Sequence, residues 1–102
     1  MTTVNIGGDE RLLSEADPQW VEREINGRRR DGLPVTVVVV VEANDAELCL
    51  VAPPRGGGGG SKHFTIRELA VIDAWEQSGM NGADFSAGSL IAFLRRLAHL
   101  LR

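Results

Sequence analysis

The run from Pro34 to Val41, PVTVVVVV, constrains the fold of this chain more than any other stretch. A continuous β-branched segment this apolar is stable only when both of its faces are covered, which predicts the buried central strand of a small sheet. Glu42 to Glu47 and then Leu48-Cys49-Leu50-Val51 follow, and together these residues read as a β-hairpin turning at Asn44-Asp45. With a loop of two or four residues, Glu42 faces Glu47, Val40 faces Cys49 and Val38 faces Val51, while Val41 faces Leu48 and Val39 faces Leu50 on the opposite side. One face, Val35, Val37, Val39, Val41, Leu48 and Leu50, is wholly aliphatic and is the expected main core. The other, Thr36, Val38, Val40, Cys49 and Val51, is apolar in the middle and closes with two glutamates, whose repulsion is tolerable only near solvent. That second face needs a cover too.

The flanks supply the remaining elements. Thr2 to Ile6 alternates, with Val4 and Ile6 on one side, and predicts a short edge strand before a turn at Gly7-Gly8. Asp17-Pro18 is a helix start, with Asp17 as N-cap, Pro18 at the first helical position and Ala16 and Val21 spaced as a hydrophobic staple. Trp20, Val21 and Ile25 form its buried stripe, joined by Leu12 and Leu13; Asn26-Gly27 offers a first stop, but the helix is expected to continue through Arg28-Arg29-Arg30 to a second at Asp31-Gly32. Thr65-Ile66-Arg67-Glu68 is a capping box, with Phe64 and Leu69 as its staple, for a helix running through Trp75 to Ser78-Gly79. After a connection from Gly79 to Phe85, Ser86 caps a last helix. There Leu90, Ile91, Leu94, Leu97, Ala98 and Leu101 repeat at helical spacing, and Phe93 and Leu100 widen the stripe. A helix this apolar is either deeply packed or shared with another chain.

The order strand, helix, strand, strand, helix, helix defines an α+β fold: one domain over residues 1–102, a three-stranded mixed sheet around the valine strand, and a C-terminal helix pair. A flexible Gly-rich loop is expected at 53–63. If the strands flanking the first helix are neighbours, their crossover is expected to be right-handed.

Composition excludes several classes. A net charge of −3 and a pI near 5.3 argue against a nucleic-acid-binding surface spread over the whole protein. Cys49 stands alone and cannot form an internal disulfide, and no N-terminal leader pattern is visible, so the cytoplasm is the expected location. No apolar run approaches the roughly 18–20 residues needed to cross a bilayer, so no membrane partner is expected. Lys62 is the only lysine among mostly arginine basic residues, as in bacterial sequences of GC-rich coding bias.

Few residues invite a chemical reading. Gly56 to Gly60, followed by Ser61-Lys62-His63, lies between a strand and a helix start, the layout of a phosphate cradle. The pattern G-x-x-x-x-G-K-[ST] is not met, because Ser61 stands at the second glycine and His63 at the hydroxyl position. A looser anion site could use Arg55, Lys62, His63 and the helix N–H groups; the bland alternative is a plain linker. Arg23 and Arg28 to Arg30 could contact nucleic-acid phosphates, but Glu22, Glu24 and Asp31 dilute their field, and they also suit a solvated helix C-terminus. The connection from Gly79 to Phe85 is too long for a helix-turn-helix. Cys49 sits mid-strand among valines as an inert thiol, His63 and His99 lack partners at metal-ligand spacing, and Asp73 with Glu76 reads as a solvated face.

No acid, base and nucleophile set can be assembled, so the chain is expected not to be an enzyme and to need no cofactor. The leading expectation is a protein-binding module acting as a homodimer through apolar surface, with Trp20, Trp75 and Phe93 as aromatic anchors and Val38 and Val40 on the contact face. The alternatives are an anion or nucleotide-phosphate site at Gly56 to His63, and a nucleic-acid contact through Arg23 and Arg28 to Arg30.

Overall fold

The computed structural model describes residues 1–43, 46–52, 66–80 and 86–101, with side chains for all of these except 42–52 and 66–68. Strands β1 (Thr3–Ile6) and β2 (Asp9–Leu12) lead through a short 3-10 turn, Leu13–Glu15, to helix α1 (Pro18–Arg30). Strands β3 (Val37–Ala43) and β4 (Ala46–Ala52) and helices α2 (Ile66–Gln77) and α3 (Ala87–Leu100) follow. The α+β class expected from sequence is the one observed. The sheet has the order β2-β1-β3-β4, with the valine strand inside it.

Two details of the expected sheet are corrected. The sheet has a fourth strand, β2, and each of its three pairings is antiparallel, so it is not a three-stranded mixed sheet. Strand β1 is consequently interior, paired with β2 on one side and β3 on the other, and not an edge. Because β1 and β3 are antiparallel neighbours, the handedness rule for parallel crossovers does not govern that pair.

Strand β2 escapes a hydrophobic-pattern reading because its sequence, DERL, puts the charges of Asp9 and Arg11 on the helix side of the sheet. Register places Asp9 beside buried Ile6 and Arg11 beside buried Val4. Both are engaged by Trp20 of α1: the indole Nε1 donates to Asp9 Oδ2 at 2.8 Å, and the Arg11 guanidinium carbon lies 5.0 Å from the ring centroid. The turn between the strands is Gly7-Gly8, with φ of +59° and +102°, a two-residue hairpin that only glycine adopts freely.

The valine hairpin has the expected register, from Val38 opposite Val51 to Glu42 opposite Glu47, and closes at Ala43 opposite Ala46. Val35, Val37, Val39 and Val41 are buried, and with Val4 and Ile6 they form the floor of a single core. Upon it sit Trp20, Val21 and Ile25 from α1, Val71, Ile72 and Trp75 from α2, and Leu90, Phe93, Leu94 and Leu97 from α3. Trp75 and Phe93 meet edge to face at 4.9 Å and 89°, locking α2 to α3. The last helix is therefore packed within its own chain, the first of the two fates its composition allowed.

The helix ends follow from local chemistry. Asp17 accepts from the Trp20 backbone N–H at 2.9 Å and Ser86 from that of Ser89 at 3.1 Å, as their N-cap positions predict. Helix α1 runs to the later of its two candidate stops. Gly32 at φ +71° lets its own N–H reach Arg29 O and that of Leu33 reach Arg28 O at 2.8 Å, a complete Schellman motif. Gly79 closes α2 in the same way, through Gly79 N–H to Glu76 O and Met80 N–H to Trp75 O, with Met80 fully buried. The capping-box residue Thr65 and the staple residue Phe64 lie outside the described residues.

Candidate functional site

A sheet has two faces, and in this one all the described helices join the core on one of them. The other face is read from the register: Leu12, Thr3, Val40 and Cys49 form one cross-strand row, and Glu10, Asn5, Val38 and Val51 the next. Thr3, Asn5, Leu12, Val38 and Val40 are half-buried, and none of the described helices covers them. An antiparallel sheet tolerates one solvated face. Here that face mixes β-branched apolar side chains with Thr3 and Asn5, and Glu42 and Glu47 stand paired at the end next to the β3-β4 turn.

The opposite end of the face opens into a pocket of about 450 Å³ lined by Asn5, Gly7, Gly8, Arg28, Leu33, Pro34 and Thr36. Local structure explains each wall. The Gly7-Gly8 turn is held by Gly7 N–H donating to Thr36 O at 2.8 Å and Gly8 N–H donating to Asn5 Oδ1 at 2.9 Å. The Schellman motif at the end of α1 fixes the Arg28 backbone against Leu33, which is 51% exposed. The Arg28 side chain folds back onto the turn so closely that a Cβ on Gly7 would stand 2.5 Å from its Nε and Cζ.

Among the described residues, Arg28 is the one charged group lining this pocket, and it is short of acceptors. Its side chain is only 26% exposed, its Nε is buried with no hydrogen-bond partner, and its nearest carboxylate, Glu24, stands 3.7 Å from Nη2. That separation gives Coulomb attraction without a good hydrogen bond. A second, smaller groove of about 170 Å³ lies between the start of α1 and α3, lined by Leu13, Ala16, Pro18, Ile91, Leu94, Arg95 and Ala98.

The residues singled out from sequence are distributed unevenly over these features. Trp20, Trp75 and Phe93 are 1%, 3% and 0% exposed, so they serve as core and present nothing to a partner, whereas Val38 and Val40 do face outward. The apolar spacing that suggested anchors is the spacing of an internal stripe. Arg23, Arg29 and Arg30 are exposed, with Arg30 3.9 Å from Asp31, but Arg28 leaves their row to cover Gly7. Arg55, Lys62, His63 and the Gly56 to Gly60 stretch lie outside the described residues.

Asp73 is exposed and accepts from Gln77 Nε2 at 3.0 Å, His99 is exposed, and among the described residues no three His, Cys, Asp or Glu side chains gather as a metal site. Among the described residues, Asp9 is the titratable group whose ionisation is clearly shifted. The Trp20 hydrogen bond, a hydrogen bond shared with the Glu24 carboxyl and the charges of Arg11 and Arg23 hold its carboxyl below the usual range, against a smaller opposing effect of burial. No helix among the described residues is long and apolar enough to cross a membrane. Compared with known protein families, curated proteins and solved structures, the chain matches none.

Proposed function

We propose that this protein is a non-catalytic interaction module whose working surface is the helix-free face of its sheet, and that the occupant of that face is a second copy of the same chain. The observation that carries the reading is the placement of all three helices on one side, which leaves Val38, Val40, Thr3 and Leu12 as a half-exposed stripe on the other. Two such faces related by a twofold axis pack β-branched side chains against each other at the usual sheet spacing of about 10 Å.

Area sets the strength. Four strands about 4.8 Å apart and four to seven residues long offer roughly 350 Å² per protomer, below the roughly 800 Å² of a standard interface, so the dimer is a weak one that forms and dissolves with concentration. The burial of Trp20, Trp75 and Phe93 points the same way, because among the described residues no aromatic side chain is left to act as a hot spot.

Sedimentation velocity across a dilution series tests this. The expected result is a monomer–dimer equilibrium that Val38→Lys with Val40→Lys abolishes while the far-ultraviolet circular dichroism is unchanged. A monomer at all concentrations, or a dimer indifferent to both lysines, overturns the reading.

A further inference from the structure

We infer that the pocket around Arg28 is a binding site for a small monocarboxylate with a short apolar body, its charge met by the Arg28 guanidinium and its carbon chain by Leu33 and Pro34. Arg28 lies in the wall, positively charged at any accessible pH, and its ion-pair partner Glu24 stands 3.7 Å from Nη2, too far for a good hydrogen bond, which leaves the Nη groups able to donate. The uncharged polar groups around it also favour an anion. Asn5 Oδ1 is already engaged by the Gly8 N–H, which leaves the Asn5 amide as a donor, and the Thr36 hydroxyl can donate. None of the described residues that line it is acidic. A guanidinium with two flanking donors can meet both oxygens of a carboxylate, and it is the apolar wall beside it that favours an anion with a carbon body over an inorganic one.

The remaining wall fixes the rest of the ligand. Leu33 is 51% exposed, held in the open by the Schellman motif at the end of α1, and Pro34 is exposed beside it. An apolar pair at the mouth of a cationic pocket of about 450 Å³ accommodates a chain or ring of several carbons. Because Nε is sealed beneath the Gly7 turn, the carboxylate is met by the Nη groups, and Gly7 and Glu24 act as positioning residues that hold the guanidinium in place.

The site is independent of the proposed dimer, although Asn5 and Thr36 belong to the same sheet face. It is tested on the full chain carrying Val40→Lys alone, which leaves Val38 opposite Asn5 unchanged, as well as on the natural one, so that failure of either idea is seen separately. The experiment is a two-dimensional amide NMR titration with sodium butyrate at constant ionic strength, alongside 1-butanol, sodium phosphate and sodium chloride.

The expected result is saturable movement of the Gly7, Gly8, Leu33 and Thr36 amides with butyrate in the millimolar range, fitting a single exposed charge contact. Weaker movement is expected with phosphate, and none that saturates with butanol or chloride. Arg28→Gln is expected to weaken butyrate binding at least tenfold, and Thr36→Val, which keeps shape and charge, severalfold. Equal responses to phosphate and butyrate, butyrate binding that survives both substitutions, or shifts that cluster elsewhere overturn the assignment. If Arg28→Gln does not fold, Thr36→Val and the comparison of anions still decide it.

Discussion

Gly7 is the position where one added methyl group should reveal how the pocket is built. Its φ of +59° lies in the left-handed region, where a side chain costs about 1–2 kcal/mol. An alanine Cβ there would also stand 2.5 Å from Arg28 Cζ and Nε and 2.8 Å from Nη1, so the guanidinium must leave. Displacing it exposes on the order of 40 Å² of stem and turn, about 1 kcal/mol at 25 cal/mol per Å². Gly7→Ala is therefore expected to destabilise by about 2–3 kcal/mol, or about 10–20 °C in melting temperature for a domain of this size.

The two contributions separate in a double-mutant cycle. In an Arg28→Ala background the steric part disappears and Gly7→Ala retains only its strain, which gives a coupling of about 1 kcal/mol measured by urea denaturation. Gly8→Ala is the control: it is strained at φ +102° but its Cβ meets open space, so it should not couple to Arg28. A Gly7–Arg28 coupling within about 0.3 kcal/mol of zero, or an equal coupling at Gly8, would refute the packing of Arg28 on the turn.

Three further outcomes are expected. Phe93→Ala removes a fully buried ring and its edge-to-face contact with Trp75, and should cost about 3–5 kcal/mol in urea denaturation, with the loss of Trp75's buried fluorescence as a second readout. Asp17→Ala deletes the cap on α1 and should cost about 1 kcal/mol, read as a lowered urea midpoint with unchanged slope. The Asp9 carboxyl is depressed in the folded state, so its contribution is complete above the unfolded value of 3.8 and is lost as pH falls through the lower folded value. The natural protein should thus lose more stability between about pH 6 and about pH 2 than Trp20→Phe, which lacks the indole N–H that stabilises the carboxylate.

The parts of this fold that could be read from the chain are those in which local chemistry and tertiary burial agree. The hairpin register was legible because aliphatic residues alternate on both arms and the two glutamates must meet at the wet end. Asp17, Gly32, Gly79 and Ser86 act within four residues of themselves, so capping rules reach them. Strand β2 was hidden because Asp9 and Arg11 occupy helix-side positions and are made tolerable there by Trp20, a partner eleven and nine residues away. Its one local signal, a two-glycine turn directly after an alternating strand, indicates a returning arm whatever that arm contains. The pocket was less visible still. Its arginine belongs to a row of three that reads as a solvated helix end, and only the fold brings Arg28 to the glycine turn while leaving Arg29 and Arg30 outside.

The interior position of β1 has a consequence for how the chain reaches this state. Its pairing with β2 closes over two glycines, and that of β3 with β4 over two residues, so both hairpins can form within microseconds from neighbouring chain. Joining them requires β1 to find β3 across the whole of residues 13–36, including α1. Among the described strands that closure is the one long-range contact and carries most of the loop entropy of sheet assembly, so it is expected to set the folding rate. Truncations at Val4 and Val39, which face each other across that seam, should slow folding, whereas truncations within α3 should chiefly speed unfolding.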